Sequence, residues 1–119
     1  MDISLASIFI YTINNAIIGF IAFHIDSEES PGYAEGFKGY GHVSDAYIVD
    51  QFRGKGFATT MLQEAEETFD ALGIKNLYLM SMADSGAFWS SKGYIKTDIY
   101  IENEDGWIHT KKINDKAMI

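Results

Sequence analysis

Ile48-Val49-Asp50-Gln51-Phe52-Arg53-Gly54-Lys55-Gly56-Phe57-Ala58 is the stretch that decides how this chain folds. A β-branched pair closes a strand, glycines one residue apart break it, and an apolar periodicity starts at once. Phe57, Ala58, Met61, Leu62, Ala65, Phe69 and Leu72 recur at helical spacing, with Gln63, Glu64, Glu66 and Glu67 on the wet face. Gly73 predicts a left-handed cap at the helix end. A strand that runs through glycines into a helix leaves the first helical N–H groups without acceptors, all aimed at one spot. The helix dipole adds partial positive charge there. Gly54 and Gly56 let a ligand approach the backbone, and Arg53 and Lys55 concentrate positive charge. The segment reads as an anion site suited to a pyrophosphate. A plain tight turn with exposed charges would also write Gly-x-Gly. A P-loop would need Gly-x-x-x-x-Gly-Lys-Ser/Thr, and a dinucleotide fingerprint would need glycine where Thr59 stands.

Working outward, His42 to Val49 predicts the strand that feeds the loop, with polar residues in its first half. Ile8–Ile13 and Ala16–Ile25 predict a hairpin turned by Asn14-Asn15, residues that tolerate positive φ. Residues 26–40, with the only proline and many glycines, predict an irregular loop. Downstream come a short buried strand (76–80), a second helix capped by Asp84 or Ser85 and closed by Gly93, and strands over 95–101 and 107–113 around a turn. The predicted order β-β-β-α-β-α-β-β describes an α/β or α+β domain with a mixed sheet.

The chain of 119 residues carries a net charge of −8, 47% hydrophobic residues and no cysteine. Thiol catalysis, disulfide scaffolds and cysteine-based zinc sites are excluded. The acid surplus argues against nucleic acid and anionic membrane as partners and favours a cationic one, although solubility alone would explain it. The longest apolar run, 16–23, falls far short of the ~20 residues that span a bilayer. Met1-Asp2 lacks the basic start of a secretory signal, so a cytoplasmic location is expected. His24 and His109 lie in separate strands without ligand spacing, and no metal site is expected.

Gln51-x-x-Gly54-x-Gly56, following a strand that ends in Ile48-Val49, resembles motif A of the GNAT superfamily of acyl-CoA-dependent N-acetyltransferases. The hairpin ending in Ile18 to Phe23 resembles the family's second and third strands. Ala87-Phe88-Trp89-Ser90-Ser91-Lys92-Gly93-Tyr94 is similar to the helical segment of motif B, and Trp107 to Ile113 to the last strand of the polyamine-acetyltransferase branch. The resemblance implies one domain over 1–119: a hairpin (1–25), the loop (26–40), an acetyl-CoA-binding core (41–113) and a tail (114–119). It implies a central mixed sheet splayed between the family's fourth and fifth strands, with two main helices. Acetyl-CoA would lie in the gap, its pantetheine arm bonded to the backbone of Ile48 and Val49. Its pyrophosphate would rest on the N–H groups from Arg53 to Ala58, a stretch that includes Lys55 and Phe57.

The sequence departs from that pattern in three places. The family's N-terminal elements are shortened or missing, so the acceptor side would be open, or completed by the 26–40 loop or by a second subunit in a homodimer. The tyrosine that protonates the leaving thiolate corresponds to Trp89, whose indole N–H donates a hydrogen bond but is no acid near neutral pH. The glutamate base of the polyamine branch corresponds to Ser44. His42 and Asp45 are then the candidate bases. Simple alternation places His42 on the face of Ser44 and Asp45 on the other. Tyr94 or Tyr47 would supply the acid. Each of these side chains also has an ordinary structural explanation. The implied reaction is acetyl transfer to a primary amine (a protein lysine, an N-terminus or a polyamine) by direct attack in a ternary complex. A catalytically degenerate CoA-binding or protein-interaction module is the alternative.

Overall fold

The computed structural model describes residues 6–28, 31–32, 36–82 and 85–113. Six strands and two α-helices follow in the order β1 (Ala6–Ile13), β2 (Ala16–Ile25), β3 (Gly41–Ile48), α1 (Phe57–Ala71), β4 (Asn76–Met82), α2 (Gly86–Ser91), β5 (Ile95–Ile101) and β6 (Gly106–Lys112). The predicted mixed α+β architecture is present. Asn14 and Asn15 take φ of 51° and 68°, the left-handed pair that a two-residue hairpin requires. The strands form one sheet in the order β1-β2-β3-β4-β6-β5. Every pairing is antiparallel except β3 with β4.

That parallel pair decides the shape of the molecule. It is registered only at Gly41 with Leu77 and His42 with Tyr78, after which the strands part. Helix α1 crosses the sheet, burying Met61, Leu62, Ala65 and Phe69 against Ile21, Phe23, Val43 and Leu79. The helix ends as predicted: Ile74 N–H donates to Phe69 O and Gly73 N–H to Asp70 O, with Gly73 at φ +79°. The predicted stripe fails at two positions. Leu72 lies past the last helical residue and is exposed. Glu66 is not on the wet face: its side chain is 16% exposed, and its carboxylate accepts from Lys111 Nζ at 2.9 Å and from the Tyr94 hydroxyl at 2.9 Å. The 26–40 loop carries no regular element among its described residues and covers the opposite face of the sheet, where Phe37 stacks on Tyr78 with centroids 4.4 Å apart.

Simple alternation does not hold along β3. Ala22 faces Asp45 while the next residue, Phe23, faces Val43, so Ser44 is the extra residue of a β-bulge. The bulge resets the pleat. His42, opposite His24, and Asp45, opposite Ala22, share a face, because their partners stand two apart on β2. The expected pairing of His42 with Ser44 is therefore corrected. No helix among the described residues is long and apolar enough to cross a membrane.

Candidate active site

Beyond the point where β3 and β4 diverge, a cleft of about 690 Å³ opens between β3 and α2 and runs to the N-terminus of α1. Ala46 and Ile48 of β3 form one wall, Met61 and Leu62 the floor, and Phe88 and Trp89 of α2 the far wall. Gly54 and Gly56 close the end nearest the helix. Their φ values, +77° and +86°, are left-handed, and no atom lies within 4 Å of where a Cβ would stand. Glycine is needed there for the backbone turn, and its missing side chain leaves that backbone bare. The first bond of α1 runs from Thr60 N–H to Gly56 O at 3.1 Å. The N–H groups of Phe57, Ala58 and Thr59 therefore have no acceptor within the helix and face its open end. Phe52 and Phe57, edge to face at 6.0 Å, brace the loop from beneath.

The basic residues are disposed less simply than their spacing suggests. Arg53 folds back over the strand end: Nε donates to Ile48 O at 2.8 Å, Nη1 meets Asp50 Oδ1 at 2.9 Å, and the guanidinium lies 5.4 Å from the Tyr47 ring centroid. Lys55 and Gln51 are exposed on the loop. Val49 N–H is committed to Ile18 O on β2 at 2.8 Å, which turns the N–H and C=O of Ile48 toward the cleft edge. The Ile48 N–H, rather than that of Val49, is the amide turned to the gap, while the Ile48 carbonyl is held by Arg53 Nε.

The five candidate catalytic side chains do not converge. Trp89 lines the cleft. Ser44 and Asp45 are exposed on β3, the Ser44 hydroxyl donating to Ala22 O at 3.2 Å. His42 is only 3% exposed, is not part of the cleft lining, and lies on the face of the sheet that carries Tyr78. Burial, with nearby His24 adding to it, lowers its pKa to about 3, so it is neutral and a poor proton acceptor near pH 7. Tyr94 is 2% exposed and anchors the end of α2: its N–H donates to Trp89 O and its ring meets Trp89 edge to face at 5.5 Å. Burial first, then the Glu66 carboxylate, pushes its hydroxyl far above the ordinary tyrosine range. Tyr47 lines the cleft. Asp84, one of two predicted helix caps, lies outside the described residues; Ser85, the other, bonds Met82 O at 3.1 Å instead of capping.

The sequence matches the acetyltransferase (GNAT) family over residues 3–94. No curated protein matches it. Among solved structures, the fold is similar to that of PaiA N-acetyltransferase from Thermoplasma acidophilum in complex with coenzyme A, with a TM-score of 0.73 and 19% identity. It is also similar to an acetyltransferase from Bacillus cereus ATCC 14579 (TM-score 0.75, 13% identity) and to nourseothricin acetyltransferase (0.72, 15%). These alignments cover 90%, 92% and 90% of this chain and 60%, 74% and 65% of the other chains. The chain thus spans about 60% of the length of the Thermoplasma protein.

Proposed function

Because this chain belongs to the acetyltransferase (GNAT) family, we propose that it transfers the acetyl group of acetyl-CoA to a primary amine by direct attack, both substrates being bound together. The observation that carries this reading is the parting of β3 from β4 after two registered pairs, which opens a cleft ending on the bare glycine backbone and free N–H groups of α1. Those features fit the cosubstrate: an extended arm needs an unpaired strand edge, and a diphosphate needs converging N–H donors and room beside the backbone. When bound, acetyl-CoA supplies an activated thioester. The chain supplies placement. Ile48 offers its N–H, the amides from Phe57 to Thr59 hold the diphosphate, and Lys55 adds charge, joined by Arg53 once it is released from Asp50 and from the Ile48 carbonyl, which that release frees as an acceptor.

The amine must be neutral to attack. With His42 buried on the sheet, Asp45 is the exposed carboxylate of β3; it stands on the face of His42, opposite to that of the cleft-lining Ala46, and takes the proton through water from an amine that approaches on its own face. Tyr47 is the phenol of the cleft lining and serves as donor to the leaving thiolate, while Trp89, on the far wall, has no acidic proton to give. Orientation supplies most of the acceleration. A chain with net charge −8 draws cationic acceptors, so polyamines, lysine side chains and peptide N-termini are the substrate class.

One set of observations favours a second reading, a CoA-binding module without turnover: Trp89 and Ser44 stand where the family carries its acid and base, and His42 and Tyr94 are buried. Acetyl-CoA mixed with a panel of amines, with free thiol followed continuously, separates the two. Amine-dependent thiol release supports transfer. Calorimetric binding of CoA without thiol release on any amine supports the module, and absence of CoA binding overturns both.

A further inference from the structure

A second cluster of chemistry lies at the closed end of the sheet, away from the cleft. His24 and His42 face each other across β2 and β3, their rings 4.8 Å apart. Asp26, two residues beyond His24, brings its carboxylate to the same place: Oδ1 lies 2.8 Å from His24 Nε2 and 3.7 Å from His42 Nδ1. One ligand atom from each of the three residues falls within 4.8 Å of the others. The side chains of Asp26 and His42 are each 4% exposed, and that of His24 is 16% exposed.

The surroundings orient this group. Asp26 Oδ2 accepts from the Tyr78 hydroxyl at 2.5 Å and from Gly32 N–H at 3.0 Å, which turns Oδ1 toward the two imidazoles. The Tyr78 ring stacks on His42 at 4.3 Å with planes 9° apart, fixing the plane of that imidazole. A Cβ on Gly32 would stand 1.7 Å from the Tyr78 hydroxyl, so glycine is what lets the loop close over the carboxylate. A buried carboxylate turned toward two imidazoles, its other oxygen held by a hydroxyl, is the ligand and outer-shell arrangement of a divalent transition-metal site.

We propose that His24, His42 and Asp26 form a three-ligand site for a divalent transition metal of the zinc type, with the fourth position open on the His24 side. The donor set, two imidazoles and one carboxylate, suits zinc or cobalt and not calcium or magnesium, which take oxygen ligands. Tetrahedral ligands at zinc distances stand about 3.3 Å apart. The 2.8 and 3.7 Å separations from Asp26 lie within about half an ångström of that value, and the two imidazole nitrogens, within 4.8 Å of each other, draw together as the ion binds. The ion offsets the buried carboxylate charge, and it ties β2, β3 and the start of the 26–40 loop together. Because the strands concerned are neighbours only through their pairing, nothing in the linear spacing of the ligands announces the site.

The test is titration of the metal-free full chain with Co²⁺ and then Zn²⁺, read by visible absorption and by thermal unfolding. One Co²⁺ per chain with the intense visible bands of tetrahedral nitrogen and oxygen ligation, displaced by Zn²⁺ and accompanied by a higher unfolding midpoint, is the expected result. His24→Gln, at the exposed rim, removes those bands while circular dichroism stays that of the parent. Tyr78→Phe keeps all three ligands and weakens affinity about ten- to a hundredfold through loss of outer-shell support. Absence of saturable Co²⁺ binding overturns the proposal, and so does a spectrum that His24→Gln and Asp26→Asn both leave unchanged. CoA binding enters none of these readouts, so the site stands or falls independently of the transferase reading.

Discussion

Replacing Gly56 by glutamate places a carboxylate at the mouth of α1. In the free protein two effects partly offset each other. A side chain at φ +86° costs about 1–2 kcal/mol, while a carboxylate at a helix N-terminus returns about 0.3–1 kcal/mol. No atom lies within 4 Å of the new Cβ, so no clash is added. Bound ligand changes the balance. At an effective dielectric of 20, each unit of phosphate charge about 4 Å from the carboxylate costs about 4 kcal/mol, and about 2 kcal/mol at 8 Å. CoA affinity should therefore fall at least about thirtyfold for one charge at about 8 Å and about a thousandfold for both. The unfolding midpoint should drop no more than in Gly73→Ala, by about 1 kcal/mol of stability. Gly73→Ala is the matched control. Gly73 also has a positive φ, +79°, and open space, but it stands at the other end of the 15-residue helix, ~22 Å away. It should lose about 1 kcal/mol of stability and keep its affinity. Calorimetry with CoA and thermal unfolding of both variants read out the pair. CoA bound by folded Gly56→Glu within threefold of the parent would refute the diphosphate placement.

Three other perturbations probe the rest of the structure. Trp89→Tyr puts a phenol in the cleft and should raise kcat toward the ~10²-fold typical of a general acid when leaving-group protonation limits the rate; an unchanged kcat would mean that this step does not limit or that Tyr47 already serves it. Tyr94→Phe removes the bond to Glu66 and should cost about 1 kcal/mol without altering CoA binding. The same residue governs alkaline stability: its folded pKa is raised above the unfolded value of 10.0, so the native state holds a proton that the unfolded chain releases, and stability is full below that value and declines above it. Absorbance at 295 nm should show one tyrosine fewer titrating only with unfolding in the variant than in the parent. Phe69→Ala empties a site that is 0% exposed and in edge contact with Phe23 at 5.1 Å, and should cost about 3–5 kcal/mol in denaturant unfolding; less than 1 kcal/mol would mean α1 does not anchor the core as described.

The elements and their order were readable because each is written locally. The Asn14-Asn15 turn, the stripe of α1 and the glycines after both helices act within a few residues of themselves. The glycine loop was readable for the same reason, since its bare backbone depends on Gly54 and Gly56 alone. What the sequence concealed lies between elements. The bulge at Ser44 leaves no local trace, yet it moves Asp45 onto the face of His42. The burial of His42 depends on a loop that composition describes only as irregular, and the convergence of His24, Asp26 and His42 depends on strand register. Glu66 looked solvated because helical periodicity knows nothing of Lys111, 45 residues away on β6.

The divided sheet has a mechanical consequence. Strands β1, β2 and β3 make one blade and β4, β6 and β5 another, and the backbone joint between them is the two registered pairs at Gly41 and His42. That joint is tight, for a methyl group on Gly41 would meet Leu77 at 2.5 Å and Phe69 at 2.7 Å. Relative motion of the blades is thus a scissoring about one end, with α1 as the spring across them, and anything laid along the edge of Ile48 acts as a splint that sets their angle.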